Sequence, residues 1–168
     1  MKKLEVIDSK IFTRERLKPL LEMWNFQEKK IVFTNGCFDI VHAGHIDYLS
    51  KAADLGDILI VGINSDPSVR KLKGSGRPLQ NLESRFMVLA SMFFVNAVIA
   101  FEDDTPYDLI KFIQPDVLVK GSDYKENEIV GAEIVKSKEG TVVTIPFLEG
   151  YSTTLIEKKI VNNNQLKE

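Results

Sequence analysis

Residues 33–45 read Phe-Thr-Asn-Gly-Cys-Phe-Asp-Ile-Val-His-Ala-Gly-His, and this stretch joins an apolar strand to the start of a helix. The strand begins after Lys30 with an Ile-Val-Phe run. Helical spacing continues beyond the stretch at Ile46, Leu49, Ala52, Ala53 and Leu55. His45 therefore falls in the first turn of the helix, where unpaired N–H groups and the positive end of the helix dipole favour an anion. The stretch predicts a phosphate-binding loop.

Two histidines stand at the start of this helix. His42 and His45 are three positions apart, so their rings are expected on one side of the helix start. The dipole should make both rings harder to protonate, and each neutral ring keeps one N–H donor for a phosphate oxygen. The alternatives are surface or capping histidines, or two ligands of a metal site. Because the chain has no other histidine and only Asp39 as a nearby carboxylate, we favour phosphate binding and assign no metal ligand set.

Composition limits the classes of protein that this chain represents. The chain has 168 residues and 44% hydrophobic content, which suits one domain with a full core. A formal charge of -2 and a pI near 5.8 argue against a protein that coats nucleic acid. With Cys37 as the single cysteine we expect no disulfide framework, and we expect neither a signal peptide nor a membrane span. The expectation is a cytoplasmic protein with small-molecule partners and no nucleic-acid or membrane partner.

Apolar strands alternate with helical patterns along most of the chain. The predicted strands are 31–34, 58–64, 97–101, 117–120 and 142–145, and the predicted helices are 44–55, 82–92, 106–112, 127–138 and 153–161. The run from Ile58 to Val61 is apolar throughout, which is typical of a parallel strand covered on both faces. The alternation predicts an α/β protein with a single Rossmann-like, doubly wound parallel sheet whose ligands bind at the carboxyl ends of the strands.

The two ends of the chain differ from this pattern. Leu17, Leu20, Leu21 and Trp24 recur at helical spacing within 13–28, which predicts an extra amphipathic helix packed on the core or on a second subunit. The last seven residues are mostly polar and are expected to be frayed. The expected organisation is a helical extension over 1–28, one domain over 29–161 and a disordered tail over 162–168.

Four cations lie close together in a segment rich in glycine and serine: Arg70, Lys71, Lys73 and Arg77. One interpretation is a solvated, flexible loop, and the other is a mobile lid that orders over a triphosphate. The segment lacks the third glycine of a dinucleotide-binding fingerprint, and the chain contains no Gly-x-x-x-x-Gly-Lys-Ser/Thr run of a P-loop kinase. We predict that residues 70–77 form the lid.

The motif from His42 to His45 resembles the His-x-Gly-His signature of the cytidylyltransferase-like nucleotidyltransferases. The resemblance extends from residue 29 to residue 161, because further blocks follow in the order seen in bacterial heptose 1-phosphate adenylyltransferases. These blocks are Asn64-Ser65-Asp66, Lys71-Leu72-Lys73-Gly74, Arg77-Pro78, Glu83-Ser84-Arg85, Asp104-Thr105-Pro106, Val119-Lys120-Gly121-Ser122-Asp123-Tyr124 and Gly150-Tyr151-Ser152-Thr153-Thr154. Ordered blocks at matching spacing are more specific than the signature alone.

The resemblance implies transfer of AMP from ATP to D-glycero-β-D-manno-heptose 1-phosphate, with release of pyrophosphate, for lipopolysaccharide or a related surface glycan. Mg²⁺ would bridge the phosphates, with Asp39 as a candidate ligand. The resemblance implies a catalytic role in positioning and charge neutralisation for His42, His45, Lys71, Lys73 and Arg85. It implies nucleotide or phosphate binding by Thr34, Asn35, Gly36, Cys37, Phe38, Asp39, Gly44, Asn64, Asp66, Arg77, Lys120, Gly121, Asp123, Tyr124, Ser152, Thr153 and Thr154.

Structural interpretations stay open for three of these groups. Arg85 is also consistent with an ion pair to Glu83 or another acid on a helix surface. Residues 120–124 are also consistent with a strand-ending turn. Thr154 and Glu157 have the spacing of a helix capping box, which would explain the hydroxyl block without a ligand.

The sequence leaves two alternative functions open, and it also suggests which partners to expect. The same motifs are consistent with an enzyme that transfers CMP to glycerol 3-phosphate or another small phosphate. The alternative that is not an enzyme is a sensor, which would bind a nucleotide without turnover. We expect a homo-oligomer, with a dimer favoured. Because these residues include no sugar kinase segment, we expect a separate heptose kinase and phosphatase to supply the sugar phosphate.

Overall fold

The computed structural model describes residues 2–122 and 128–165, with side chains described in 2–122 and 128–163. The strands are β1 Ile11–Phe12, β2 Ile31–Gly36, β3 Ile58–Asn64, β4 Ala97–Phe101, β5 Val117–Gly121 and β6 Thr141–Ile145. The helices are α1 Lys3–Asp8, α2 Arg14–Phe26, α3 Ala43–Ala53, α4 Asp66–Lys73, α5 Leu82–Ala90, α6 Tyr107–Ile113, α7 Ala132–Lys136 and α8 Thr153–Gln165. Within the described residues, no helix has both the length and the apolar character that crossing a bilayer requires.

The strands of the described chain form one six-stranded parallel sheet in the order β1-β4-β3-β2-β5-β6. From β2 the chain adds β3 and β4 on one side, and it then adds β5 and β6 on the other side. The strand order therefore reverses between β2 and β5, which is where open α/β sheets form a ligand crevice at the carboxyl ends of their strands. The predicted α/β class and doubly wound parallel sheet are confirmed.

The core lies on both faces of this sheet, because adjacent strand residues point to opposite faces. On one face Phe33 and Ile60 pack with Leu17 of α2 and with buried residues of α6 and α7. On the other face Val32 and Val61 pack with buried residues of α3 and α5. Both layers are fully buried at their centres, which accounts for the uninterrupted apolar runs seen in the sequence.

The N-terminal region contains more structure than the single predicted helix. The predicted helix over 13–28 corresponds to α2, which begins after Thr13, whose side chain accepts a hydrogen bond from the Arg16 N–H. Ahead of it, α1 and the two-residue strand β1 were not predicted. Ile11 and Phe12 align with Val98 and Ile99 of β4, so β1 completes one edge of the sheet. A strand of two residues carries too little periodicity to be recognised before its partner strand is known.

The structure also corrects the extent of three elements. Residues 70–77 were predicted as a loop, but 70–73 form the end of α4, which begins after the capping residue Ser65. The predicted helix over 127–138 is restricted to α7 in the described residues. The tail expected to fray from 162 onwards continues α8 as far as residue 165. Clustered charge suggested a loop at 70–73, and polar composition suggested a frayed end from 162 onwards. Both positions nonetheless form helix: 70–73 belong to α4, and α8 continues to residue 165.

Candidate functional site

A cavity of about 530 Å³ opens at the carboxyl ends of the central strands. Its wall combines the end of β2 and the loop that follows it, from Asn35 to Asp39, with Lys120 and Gly121 of β5. Further lining residues come from β3, β4, α3, α4, the start of α8 and the segments that precede α6, α7 and α8, and they are Asn64, Phe101, His45, Tyr48, Leu72, Lys73, Asp104, Thr105, Pro106, Glu128, Ile129, Val130, Phe147 and Thr153. The parallel sheet therefore brings motifs that are far apart in sequence to one crevice.

The β2–α3 loop has a tightly constrained shape. Phe38 adopts a left-handed backbone with φ 48°, and its ring lies edge-on to the His45 ring at a centroid distance of 5.5 Å. A Cβ at Gly36 would lie 3.0 Å from the Phe38 ring, so a larger residue would displace that ring. The Thr34 and Tyr48 hydroxyls share a buried hydrogen bond of 2.7 Å, which ties the loop to α3. Thr34 thus supports the loop from the core side.

His42 and His45 lie together at the start of α3, as predicted. Their ring centroids are 4.0 Å apart at an angle of 35°, and the Nδ1 atom of each ring is buried without a hydrogen-bond partner among the described residues. His42 is the N-cap residue of α3, but its side chain makes no cap hydrogen bond, so helix capping does not explain it. Buried polar atoms normally have partners, and these nitrogens therefore indicate that a ligand completes the site.

Both rings are neutral at pH 7. Burial, followed by the charges of His42 and Lys73, lowers the pKa of His45 to about 4. Burial also lowers the pKa of His42. The predicted direction is correct, and burial is the main cause. A neutral His45 acts as a hydrogen-bond donor or acceptor and is a poor proton donor at this pH.

Gly44 allows the histidine pair to pack against the segment before α8. A Cβ at Gly44 would lie 3.0 Å from Cε1 and 3.1 Å from Nδ1 of His42, and 3.2 Å from the Tyr151 Cβ. A second cavity of about 240 Å³ lies at this contact. It shares His45, Tyr48, Phe147 and Thr153 with the first cavity, and its wall also includes His42, Gly44, Tyr151 and Ser152. The two spaces therefore meet at His45.

The hydroxyl block lies at the start of α8, opposite the histidines. Ser152 Oγ accepts the Leu155 N–H at 3.1 Å, so Ser152 caps this helix. The capping box suggested by Thr154 and Glu157 is wrong, because the helix begins one residue before Thr154. Thr153 lines both cavities and Ser152 lines the smaller one, whereas Thr154 lines neither. Two of the three predicted hydroxyl residues thus contribute to the cavity wall.

Arg85 is buried beneath the site. Its side chain has no exposed surface and forms an ion pair with Asp66 at 2.6 Å. It also donates hydrogen bonds to the carbonyl oxygens of Cys37 at 2.7 Å, Asn64 at 2.8 Å and Gln80 at 3.2 Å. Of the open structural alternatives, the ion pair with an acid is therefore confirmed, but the acid is Asp66 instead of Glu83 and the arginine is buried instead of lying on a helix surface. The guanidinium holds together the ends of β2 and β3, and in this structure it does not line the cavity.

Asp39 is also held by protein groups. Its carboxylate accepts the N–H groups of Leu79 at 2.8 Å and Gln80 at 2.9 Å and pairs with Arg77 at 2.8 Å. Burial raises the pKa of Asp39, but the hydrogen bonds from Gln80, Leu79 and Arg77 outweigh that effect and leave the pKa below its ordinary value. Both oxygens are thus occupied. Among the described residues there is no group of three or more His, Cys, Asp or Glu side chains that would hold a metal.

The predicted basic residues take different positions. Lys73 lines the larger cavity, whereas Lys71 is exposed and pairs with Asp104 at 2.5 Å. Arg77 lies between Asp39 and Glu157 and forms an ion pair with each. Lys120 donates to the Asn35 side-chain oxygen and so connects β5 to β2 across the strand reversal. Of these four cations, Lys73 and Lys120 are the ones that line the cavity.

The remaining predicted residues surround the loop or lie outside the described chain. Cys37 Sγ is 3.8 Å from the Asn64 side-chain oxygen, and burial raises the pKa of the Cys37 thiol, so it stays protonated. Asn64 also donates to Ser68 Oγ at 3.0 Å. Asp123 and Tyr124 lie outside the described residues. Sequence reasoning missed Tyr48 and Phe147, which line both cavities and whose sequence signal is the same as that of core residues.

Comparisons with known proteins identify a matching family and similar proteins. Residues 33–159 match the family described as cytidylyltransferase-like. The bifunctional protein HldE of Campylobacter jejuni subsp. doylei is 54% identical over 153 residues, which are 91% of this chain and 32% of that protein. The bifunctional protein HldE of Wolinella succinogenes is 51% identical over 151 residues, which are 90% of this chain and 31% of that protein. The chain thus spans about a third of the length of the curated relatives it matches.

Two solved structures share the fold. The lipopolysaccharide core biosynthesis protein of Thermoplasma volcanium is 26% identical with a TM-score of 0.59, and the match covers 74% of this chain and 99% of that chain. The pantoate-beta-alanine ligase of Francisella tularensis, solved with beta-gamma ATP and beta-alanine, is 18% identical with a TM-score of 0.59. That match covers 88% of this chain and 75% of the ligase, and it shows the fold alone.

Proposed function

The chain belongs to the cytidylyltransferase-like family, and we propose that it transfers AMP from ATP to D-glycero-β-D-manno-heptose 1-phosphate, with release of pyrophosphate. The observation that carries the proposal is the pair of joined cavities around His42 and His45, whose buried Nδ1 atoms have no partner among the described residues. The start of α3 and the hydroxyls of Ser152 and Thr153 face the same space, so it suits a chain of phosphates.

The attacking group of this reaction needs no general base. A phosphate monoester is largely dianionic at pH 7, because its second pKa is near 6, and its oxygen attacks the α-phosphorus of ATP directly. The tasks left to the protein are positioning and neutralisation of charge. His45, with a pKa lowered to about 4, fits the role of a neutral donor to a phosphate oxygen. Lys73 and Lys120 supply positive charge at the cavity wall.

In this proposal, Arg85 and Asp39 hold parts of the protein backbone in place and do not contact the substrate. Arg85 fixes the carbonyl groups of Cys37 and Asn64, and Asp39 fixes the backbone of Leu79 and Gln80. The described residues do not fit a resident metal site, so we propose that Mg²⁺ enters with the triphosphate and is held mainly by its oxygens. No step of the reaction is assigned to a metal ligand of the protein.

The role in surface-glycan synthesis is supported by the relatives. Proteins named bifunctional protein HldE are 51–54% identical to this chain, and one solved structure of the same fold carries the description lipopolysaccharide core biosynthesis protein. Together with the motif order, these support a role in lipopolysaccharide or surface-glycan synthesis. A cytoplasmic location, a dimer, and supply of the sugar phosphate by a separate kinase and phosphatase remain part of the proposal. Light scattering would test the dimer.

The test is a matrix of ATP, CTP, GTP and UTP against sugar and polyol phosphates, read by release of pyrophosphate. We expect the highest kcat/KM with ATP and the heptose 1-phosphate. The His45→Ala variant should reduce turnover by about 100- to 1000-fold, which is the cost typical of losing one oxyanion donor. Higher activity with CTP and glycerol 3-phosphate would contradict the substrate assignment. Nucleotide binding without pyrophosphate release from any pair would indicate a sensor instead of an enzyme.

A further inference from the structure

Helix α8 forms part of the site although it is weakly attached to the rest of the molecule. Its first turn lines the cavities through Thr153, and its capping residue Ser152 faces the histidines. Yet among the described side chains of this helix, from 153 to 163, none is fully buried, and the apolar Leu155, Ile160 and Val161 are exposed. Little apolar packing therefore determines where this wall of the cavity lies.

A polar connection joins α8 to the buried part of the site. Arg77 has 19% of its side chain exposed and contacts Asp39 through Nη1 and Glu157 of α8 through Nη2. The Asp39 side chain is only 1% exposed and is itself fixed by the N–H groups of Leu79 and Gln80. Among the side-chain hydrogen bonds and ion pairs described, the pair of Arg77 and Glu157 is the one that connects α8 to the rest of the chain.

We propose that Glu157 is a positioning residue, which acts through Arg77 to hold the start of α8 against the histidine pair. Its kinetic consequence rests on the proposed function, but its structural consequence does not. Glu157 is about a third exposed, so its replacement by a neutral residue removes the ion pair with Arg77 without opening the core. Without that contact, nucleotide binding has to restore the position of α8, and part of the binding free energy is used for this step.

The first experiment measures the attachment of α8 without any ligand. Amide hydrogen exchange over residues 153–163 is compared in the wild type, in Glu157→Gln and in Glu149→Gln. Glu149 is an exposed residue just before α8, so the control removes the same charge with the same change of shape. We expect exchange in Glu157→Gln to be about 5- to 30-fold faster, the factor that corresponds to one partly buried charged contact, while Glu149→Gln matches the wild type. Equal exchange in the two variants would overturn the proposal.

The second experiment measures the kinetics of the same variants. For Glu157→Gln we expect the KM for ATP to rise by about 5- to 30-fold while kcat stays within about twofold, because the nucleotide restores the position of α8. Glu157→Asp keeps the charge and should lie between Glu157→Gln and the wild type. A fall in kcat at an unchanged KM would overturn the proposal, since it would place Glu157 in the chemical step.

The two experiments separate this proposal from the function on which its kinetics rest. If no variant, including the wild type, releases pyrophosphate from any substrate pair, the proposed function fails. The exchange measurement still decides whether Glu157 positions α8, because it depends on no substrate.

Discussion

His45 illustrates how burial, rather than local sequence, determines the chemistry of a single residue. The helix start predicted a ring that resists protonation, and the pKa of about 4 agrees in direction. The main cause is desolvation by groups that fold around the ring, with His42 and Lys73 adding unfavourable charge. A histidine in this state is neutral throughout the physiological range. Under the proposed function, His45 therefore acts as a fixed hydrogen-bonding group.

The lowered pKa of His45 predicts a dependence of stability on pH. The unfolded chain protonates His45 near pH 6.5, whereas the folded chain protonates it near pH 4. The contribution of His45 to the free energy of unfolding is thus fully present above about pH 6.5, and it decreases as the pH falls towards 4. The fall is at most about 3 kcal/mol, because the pKa difference of about 2.5 units is reduced by partial exposure of the ring.

Urea unfolding of the wild type and of His45→Asn between pH 8 and pH 4 measures this effect. The wild type should lose more stability than the variant between about pH 6.5 and 4, and the two should change in parallel above that range. The pKa of His42 is lowered as well, and its ring is coupled to that of His45, so the difference between the two proteins reports His45 together with its effect on His42. Parallel curves over the entire range would contradict the buried, neutral state of His45.

Arg85 is expected to matter for stability as well as for activity. Replacement by Met leaves the partly exposed Asp66 unpaired and removes hydrogen bonds from three carbonyl groups. We predict a loss of about 3–5 kcal/mol in the free energy of unfolding, because three carbonyl groups lose their donor and each unsatisfied polar group costs about 1–3 kcal/mol. Denaturant unfolding provides the measurement.

The matched control for this prediction is Arg70→Met. Arg70 is exposed on α4, and its replacement should change stability by less than about 0.5 kcal/mol. If Arg85→Met kept full stability but lost ATP binding, Arg85 would be a phosphate ligand as the resemblance implies, and the structural role assigned to it would be wrong.

At the scale of elements, the basic segment is a helix end followed by a short open turn. Helix α4 ends at Lys73, and Gly74 has a positive φ of 97° that suits the end of a helix. A Cβ added at Gly74 or Gly76 would meet no atom within 4 Å, so nothing packs closely there. The lid predicted over residues 70–77 is therefore limited to the turn at residues 74–76, because 70–73 are helical and Arg77 is held by Asp39 and Glu157. It stays a prediction.

Limited trypsin digestion tests this smaller lid. We predict that the ligand-free protein is cleaved first after Lys73, because the preceding cations lie within a helix and Arg77 is followed by proline. Saturating Mg-ATP should slow cleavage at Lys73 more than at Lys29, an exposed lysine that does not line the cavity and serves as the internal control. Equal protection of Lys73 and Lys29 would indicate global stabilisation and would contradict a local ordering of the turn.

At the scale of the molecule, the parallel sheet determines where the residues of the candidate site come together. All paired strands run in one direction, so the residues that follow β2, β3, β4 and β5 meet at one edge. The reversal of strand order between β2 and β5 opens the cavity at that edge. Lys120 and Asn35 connect the two strands across this opening. The site is thus a consequence of topology as much as of any motif.

The sequence alone determined the central strands, the start of α3 and the family. The bounds of β3 and β4 agree with prediction at both ends, since four or more consecutive apolar residues are a local signal of a buried parallel strand. His42 and His45 were placed at a helix start by periodicity that needs no distant contact. The order of motifs similarly required only the chain itself.

Only the tertiary structure decided which predicted residues line the cavity and which support it. Arg85, Asp39 and Arg77 are charged residues next to phosphate-binding motifs, so the sequence pattern is the same whether they hold a ligand or the protein. Their partners, such as Asp66 for Arg85 and Glu157 for Arg77, lie 19 and 80 positions away. β1 and the pKa of His45 likewise depend on groups brought together by folding. Contacts between distant residues and the loss of water around them have no local sequence signal, which is why the structure was needed to assign these roles.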